Sequence, residues 1–352
     1  MKMRVLPELD SKLTCLAARA GCTVATRRVT RRSFSIAVLG CMVPAIGSAN
    51  QVQPRALRRI GLLVGDDPEG GVAAFKQALS ELGYVERRNL AIEMRETGST
   101  RTAADAAAEL ARMDVELVVA HSLPLALAMR AASPAMPMVI VTTPGFVNNG
   151  FAKTLERPGG NVTGIDELPP GVTARRLELL KTAAPGMSRV ALLSTTPGSG
   201  SHEVQLADAQ QAAARLGVTT RPYRATSVAE LAQVLAAIAA DDMNGLLNFQ
   251  GGLSYVNRQL IVDFAAKHRL PAIYQATVFA QAGGLMTWAP NLVDQFRTAA
   301  GYVDRILKGE RPGDLPIRHP SRYYLTLNST AASKLGLVFP SALLSKADRI
   351  LP

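Results

Sequence analysis

From residue 58 onward, short apolar runs alternate with stretches whose apolar residues recur at helical spacing. Residues 59–64 form a run of strand length that ends at Gly65-Asp66-Asp67-Pro68, a loop signal. Apolar positions at 72, 75, 79 and 82 predict a helix over 71–82, with Gly83 as its stop. The same reading predicts strands at 90–94, 116–120 and 137–141, helices at 102–113 and 124–132, and a short strand with a hinge-like exit at 161–164. A second series follows. Helices are expected at 173–184, 202–216, 228–240, 256–268 and 292–307, with a helical turn near Phe279. Strands are expected at 189–194, 219–223, 246–249, 272–274 and 285–288. Alternation of this kind predicts parallel sheets covered by helices on both faces, connected by right-handed crossovers. The fold class is α/β: two doubly wound parallel-sheet lobes joined by a hinge, lobe 1 over 57–164 and lobe 2 over 165–290. Residues 291–352 are expected to form a crossover helix and a tail packing back across the lobes.

In open α/β sheets, ligands bind beyond the carboxyl ends of the strands. That rule selects the loops 65–71, 121–124, 142–149, 194–200, 250–255, 275–279 and 288–290 as walls of an inter-lobe cleft.

The composition suits two globular lobes: 352 residues, 48% hydrophobic and only 5% aromatic, so Ala, Val and Leu must fill most of the core. The net charge of +11 is uneven, because residues 1–49 hold eight Lys/Arg against two Asp/Glu. No basic block with interleaved aromatics follows, so no nucleic-acid partner is expected. All three cysteines, Cys15, Cys22 and Cys41, precede the body, which therefore has no thiol chemistry.

The first 49 residues read as an export signal with an N-terminal extension. Arg31-Arg32-Ser33-Phe34, a short apolar run and Gly47-Ser48-Ala49 follow the layout of a twin-arginine signal cleaved after Ala49. The run is too short to span a bilayer. Export by the Sec route, a lipid anchor at Cys41 within Val38-Leu39-Gly40-Cys41, and a plain basic tail remain alternatives. The expected location is the periplasm, and the expected state is a monomer.

Catalytic signatures are missing. The sequence has no G-x-x-x-x-G-K-[ST] loop, and Pro197-Gly-Ser-Gly-Ser-His202 is not a G-x-S-x-G elbow. The four histidines lack metal-ligand spacing, so neither a metal nor a cofactor is expected, and the protein is not read as an enzyme. His121 alone stands at a strand's carboxyl end, facing the cleft.

Several strings resemble the ABC-transporter substrate-binding proteins related to tryptophan- and tyrosine-binding receptors. These are Phe75–Leu90, Leu155-Glu-Arg-Pro-Gly-Gly-Asn-Val-Thr-Gly164, Arg176–Lys181, Ala265–Tyr274, Ala282–Met286 and Tyr302–Gly309. The resemblance implies a type I periplasmic-binding fold, hinged closure on a small molecule, and delivery to a membrane permease. Two departures stand out. Where relatives carry Asp-Pro-Val, this chain has Gly145-Phe146-Val147, and where many carry charge it has Thr277-Val278. A ligand ammonium would then need another acid. Asp66, Asp67 and Asp166 are the candidates, with turn and helix-capping chemistry as the alternative. Ser122, Thr142, Thr143, Gln250 and Thr277 are candidate neutral contacts. Trp288, Tyr255 and Tyr274 are candidates for stacking on a planar or apolar ligand, with core packing as the alternative. The helix starting near Pro124 is a candidate site for a ligand carboxylate. The expected function is the solute-binding component of an importer, taking an amino acid or related solute. An exported sensory module without a transport role is the second reading.

Overall fold

The computed structural model describes residues 57–352, apart from 66, 68, 99, 100, 197 and 198. The export signal, Cys41 and Asp66 therefore lie outside the described residues.

The first series comprises β1 (Arg58–Val64), α1 (Gly71–Glu81), β2 (Leu90–Glu96), α2 (Ala103–Ala111), β3 (Leu117–Ser122), α3 (Leu123–Ala132), β4 (Met138–Thr143) and β5 (Val162–Asp166). The second comprises α4 (Val172–Ala183), β6 (Arg189–Ser194), α5 (Gly200–Leu216), β7 (Thr219–Arg224), α6 (Val228–Ala240), β8 (Gly245–Asn248), α7 (Gly252–Val256), α8 (Arg258–Lys267), β9 (Ala272–Tyr274), α9 (Thr277–Gln281) and β10 (Met286–Ala289). Then come α10 (Leu292–Leu307), β11 (Tyr324–Asn328), α11 (Ser329–Lys334), α12 (Ser341–Leu344) and β12 (Arg349–Leu351).

The first sheet is five-stranded in the order β2-β1-β3-β4-β5, all parallel. The parallel part of the second, β7-β6-β8-β9-β10, repeats the same winding. To it are added β11, antiparallel to β10, and β12, parallel to β11. Both sheets are covered on two faces, which is why inner strands such as β1, β3, β4 and β6 read as apolar runs. In β1, Ile60, Leu62 and Val64 enter the core shared with α1 and α10, while Leu63 enters the one shared with α2 and α3. The second sheet is covered by α4, α5 and the C-terminal tail on one face, and by α6 and α8 on the other.

The periodicity of 292–307 predicts α10 correctly, and the structure shows what its apolar stripe is for. Leu292, Phe296, Ala299, Ala300, Val303 and Leu307 pack against Phe75 and Leu79 of α1, so α10 belongs to the first lobe's core. Phe75 and Phe296 meet edge to face, with ring centroids 6.3 Å apart. The chain thus passes between the sheets three times: after β5, between β10 and α10, and before β11. The crossings are tied together. His319 Nδ1 lies 2.7 Å from the Asp166 carbonyl, the Tyr323 hydroxyl donates to the Glu167 carbonyl at 2.9 Å, and Trp288 packs on Tyr323.

The string Gly159–Gly164 is part of this wiring. Asn161 Nδ2 donates to the carbonyls of Pro134 and Met136, and the Thr163 hydroxyl donates to Leu315 O across the returning segment. Gly164 has φ 148°, and a Cβ there would lie 2.0 Å from the Ile140 carbonyl oxygen, so only glycine fits beside β4.

Candidate functional site

Each lobe has a switch point where the winding reverses, between β1 and β3 and between β6 and β8. A cavity of about 520 Å³ lies where these points face each other. Gly65 after β1 and His121 and Ser122 at the end of β3 wall it from the first lobe. Thr196 after β6 and Gln250 after β8 wall it from the second. All seven loops expected from the strand-end rule contribute, and most of the remaining wall is apolar, including Leu123, Leu125, Leu253, Val256 and Leu292.

The expected site residues divide into those on the cavity wall and those beneath it. His121, Ser122, Thr142, Gln250, Tyr255 and Thr277 line the cavity. The strand β3 runs two residues further than the hydrophobic run suggested, so His121 and Ser122 are its last residues rather than loop. The His121 ring packs against Phe296, with centroids 5.2 Å apart, and its carbonyl accepts the Thr142 hydroxyl at 2.5 Å. The Gln250 amide nitrogen of the backbone donates to Gln205 Oε1, while its own Oε1 has no partner among the described residues. Tyr255 lies under the Arg258 guanidinium. Ser122 begins α3 without capping it through its side chain, leaving the first amides of that helix at the cavity wall.

Tyr274, Thr143, Asp166, Asp67 and Trp288 are not on the wall. Tyr274 is 1% exposed and stacks on Phe279 at 4.7 Å, which makes it core. Thr143 is fully buried. Asp166 turns inward and accepts the backbone amides of Gly145, Phe146 and Leu168 at 2.9–3.0 Å. It therefore shapes the loop that carries Gly145. Asp67 caps α1 by accepting from Gly71 and Val72, both at 2.8 Å. Trp288 stacks on Tyr323 at 4.7 Å in the crossing, and its carbonyl accepts Arg176 Nε at 3.0 Å.

The acids on the wall are Glu69 and Glu167, which the residue pattern did not single out. Glu167 is the first residue beyond β5. Successive side chains in an extended chain point to opposite sides, so Asp166 facing inward sends Glu167 to the cavity. Its carboxylate accepts Gln295 Nε2 at 2.7 Å. Burial pushes Glu167 up to about 7, opposed by the Gln295 hydrogen bond and the Arg176 charge, and reinforced by the charges of Asp166 and Glu69. Glu69 lies in the expected 65–71 loop beside Asp67; burial, then the Asp67 charge, push it up to about 6. Gln295, one turn into α10, is 4% exposed, and its Oε1 has no partner among the described residues. No signal marked it, because the lobe to which α10 belongs is not legible from local pattern.

Among the described residues, no group of three His, Cys, Asp or Glu is placed to hold a metal ion, and no helix is long and apolar enough to cross a membrane.

The closeness to known proteins agrees with this architecture. A tyrosine-binding protein of Clostridioides difficile (strain R20291) is 21% identical over 264 residues, covering 75% of each chain. The crystal structure of an ABC domain in complex with L-Trp from Streptococcus pneumonia superposes with a TM-score of 0.77 at 21% identity, over 84% of this chain and all of that one. A conserved domain protein from Vibrio cholerae gives 0.75 at 23% identity, over 84% and 99%. The profile of the family described as ABC transporter substrate binding protein matches residues 63–351. With its paired sheets and the cavity between them, the chain belongs to that family of ligand-binding proteins.

Proposed function

We propose that the protein is the solute receptor of an ABC-type importer, working in the periplasm and passing a small organic solute to a membrane permease. The observation that carries this reading is the cavity of about 520 Å³, walled by strand ends of both lobes. Its size is within the range of pockets that enclose small organic ligands, roughly 300–1,000 Å³. A solute held there touches both lobes at once, so its binding energy favours the closed arrangement. The relatives named for tyrosine and L-Trp support an amino acid or a related compound as the solute class. The twin-arginine-like segment ahead of the body supports export.

In this reading His121, Ser122, Thr142, Gln250, Tyr255 and Thr277 contact the solute, with Glu69, Glu167 and Gln295. The residues beneath the wall, Asp67, Thr143, Asp166, Tyr274 and Trp288, hold that wall in place.

The test is a thermal-shift screen of the purified protein against amino acids, amines, carboxylates and neutral metabolites. A bound solute raises the melting temperature in proportion to RT ln(1 + [L]/Kd), about 2.7 kcal/mol at a hundredfold excess over Kd. Concentration-dependent stabilisation by one chemical class is expected. A flat response across the whole panel overturns the receptor reading.

A further inference from the structure

We infer that the end of the cavity beside the inter-lobe crossing is an ammonium site, so that the solute is a primary amine of net positive charge on an apolar body. The inference rests on the receptor reading and narrows its solute class.

Three acceptors converge there. Glu167 and Glu69 both line the cavity, and the Glu69 charge acts on Glu167. Gln295, hydrogen-bonded to Glu167 through Nε2, adds an amide oxygen that is buried and has no partner among the described residues. A primary ammonium has three N–H donors and no acceptor, which matches three acceptors and no donor. An unpaired acceptor in a side chain as buried as Gln295 is costly unless something fills it. Burial raises both carboxyls, and a cation bound between them would favour their ionised forms.

The charge balance disfavours a simple zwitterion. Among the described residues lining the cavity there is no Lys or Arg. Arg176, whose charge acts on Glu167, is 1% exposed; its Nε donates to the Trp288 carbonyl, and its two terminal nitrogens have no partner among the described residues. It offsets one carboxylate and leaves the other unbalanced. A carboxylate on the solute would add a further anion, opposed among the described wall residues by neutral donors such as Ser122 and Thr277 and by the start of α3, the equivalent of about half a charge. The other walls, Leu123, Leu125, Leu253, Val256 and Leu292, suit an apolar body.

The experiment is calorimetric titration of the purified protein at pH 8 with two matched sets. One is tyramine, L-tyrosine and 3-(4-hydroxyphenyl)propionate; the other is pentylamine, norleucine and hexanoate. The members of a set share a body and differ in the amine and the carboxylate. At least one amine is expected to bind about tenfold or more tightly than its amino acid, with no binding of the matched acid. Glu167→Gln should weaken that amine about tenfold while leaving the unliganded melting temperature no lower. Should Glu167→Gln not fold, Glu69→Gln is read in the same way. An amino acid or acid that matches or exceeds its amine overturns the inference, as does unchanged amine affinity in the variant. If both amines fail while any neutral or anionic solute of the wider panel binds, the inference falls and the receptor reading stands. If nothing binds, the receptor reading falls and takes the inference with it.

Discussion

Glu167 shows how far single residues could be read from the chain. The sequence draws attention to acids near strand ends, and Asp166 is such an acid. Strand parity decides which of two neighbours faces the cavity, and parity depends on where β5 ends, which an apolar run marks only to within a residue or two. The consequence is measurable. Glu167 is held at about 7 against an unperturbed 4.5, so the folded state binds its proton more tightly than the unfolded state. Proton-linked stability is therefore full below about 4.5 and is lost as pH rises through 7. A shift of that size corresponds to about 3 kcal/mol, and Glu69 adds a smaller effect of the same sign. The groups facing Glu167 are Gln295, Arg176, Asp166, Glu69 and Tyr323, and of these Arg176 alone favours its ionised form through charge. Urea unfolding of the unliganded protein should show stability falling from pH 5 to pH 8. Glu167→Gln should flatten that fall and be the more stable of the two at pH 8 by about 1–3 kcal/mol. Such a gain, paired with weaker solute binding, is the trade expected of a functional carboxylate.

At the scale of elements, the strand and helix pattern was legible almost throughout, because parallel strands buried on both faces and amphipathic helices leave distinct periods. The differences lie where pattern is short. The expected helix 256–268 is α8, and a short helix just before it, α7, was not announced by the pattern. The edge strand β12 has no apolar run to announce it, and its pairing with β11 comes from distant chain. The most recognisable string, 155–164, contributes nothing to the cavity wall. Its residues fasten β5 to β4 and to the returning segment, and Gly164 is the tightest point. Gly164→Ala puts a methyl group against backbone that cannot yield, in a conformation that L residues rarely adopt. A loss of about 2–4 kcal/mol in stability is expected, read from urea unfolding. Solute affinity of the folded fraction should be unchanged, because the defect lies in the fold and not in the site.

For the whole molecule, the two-lobed architecture followed from the repeat of the β–α series, and the cleft followed from the strand-end rule. The three crossings did not, since they depend on which core α10 joins. That assignment turns on the fit of Phe296 against Phe75 and Gly71, a packing relation between segments more than two hundred residues apart. The crossings matter for function because Glu167 stands in one of them and Gln295 just beyond another. In the proposed reading, a solute gripped by these two residues would touch the segments that cross between the lobes, which would join recognition to closure.

The central claim is that a solute binds between the lobes at the strand ends, and calorimetry of one binding solute with wild type and Ser122→Phe tests it most directly. Ser122 closes β3 at the cavity wall, so a phenyl ring there takes up the space a solute would occupy. The prediction is one solute per chain for wild type and no measurable heat for a folded Ser122→Phe. Unchanged affinity in that variant would contradict it.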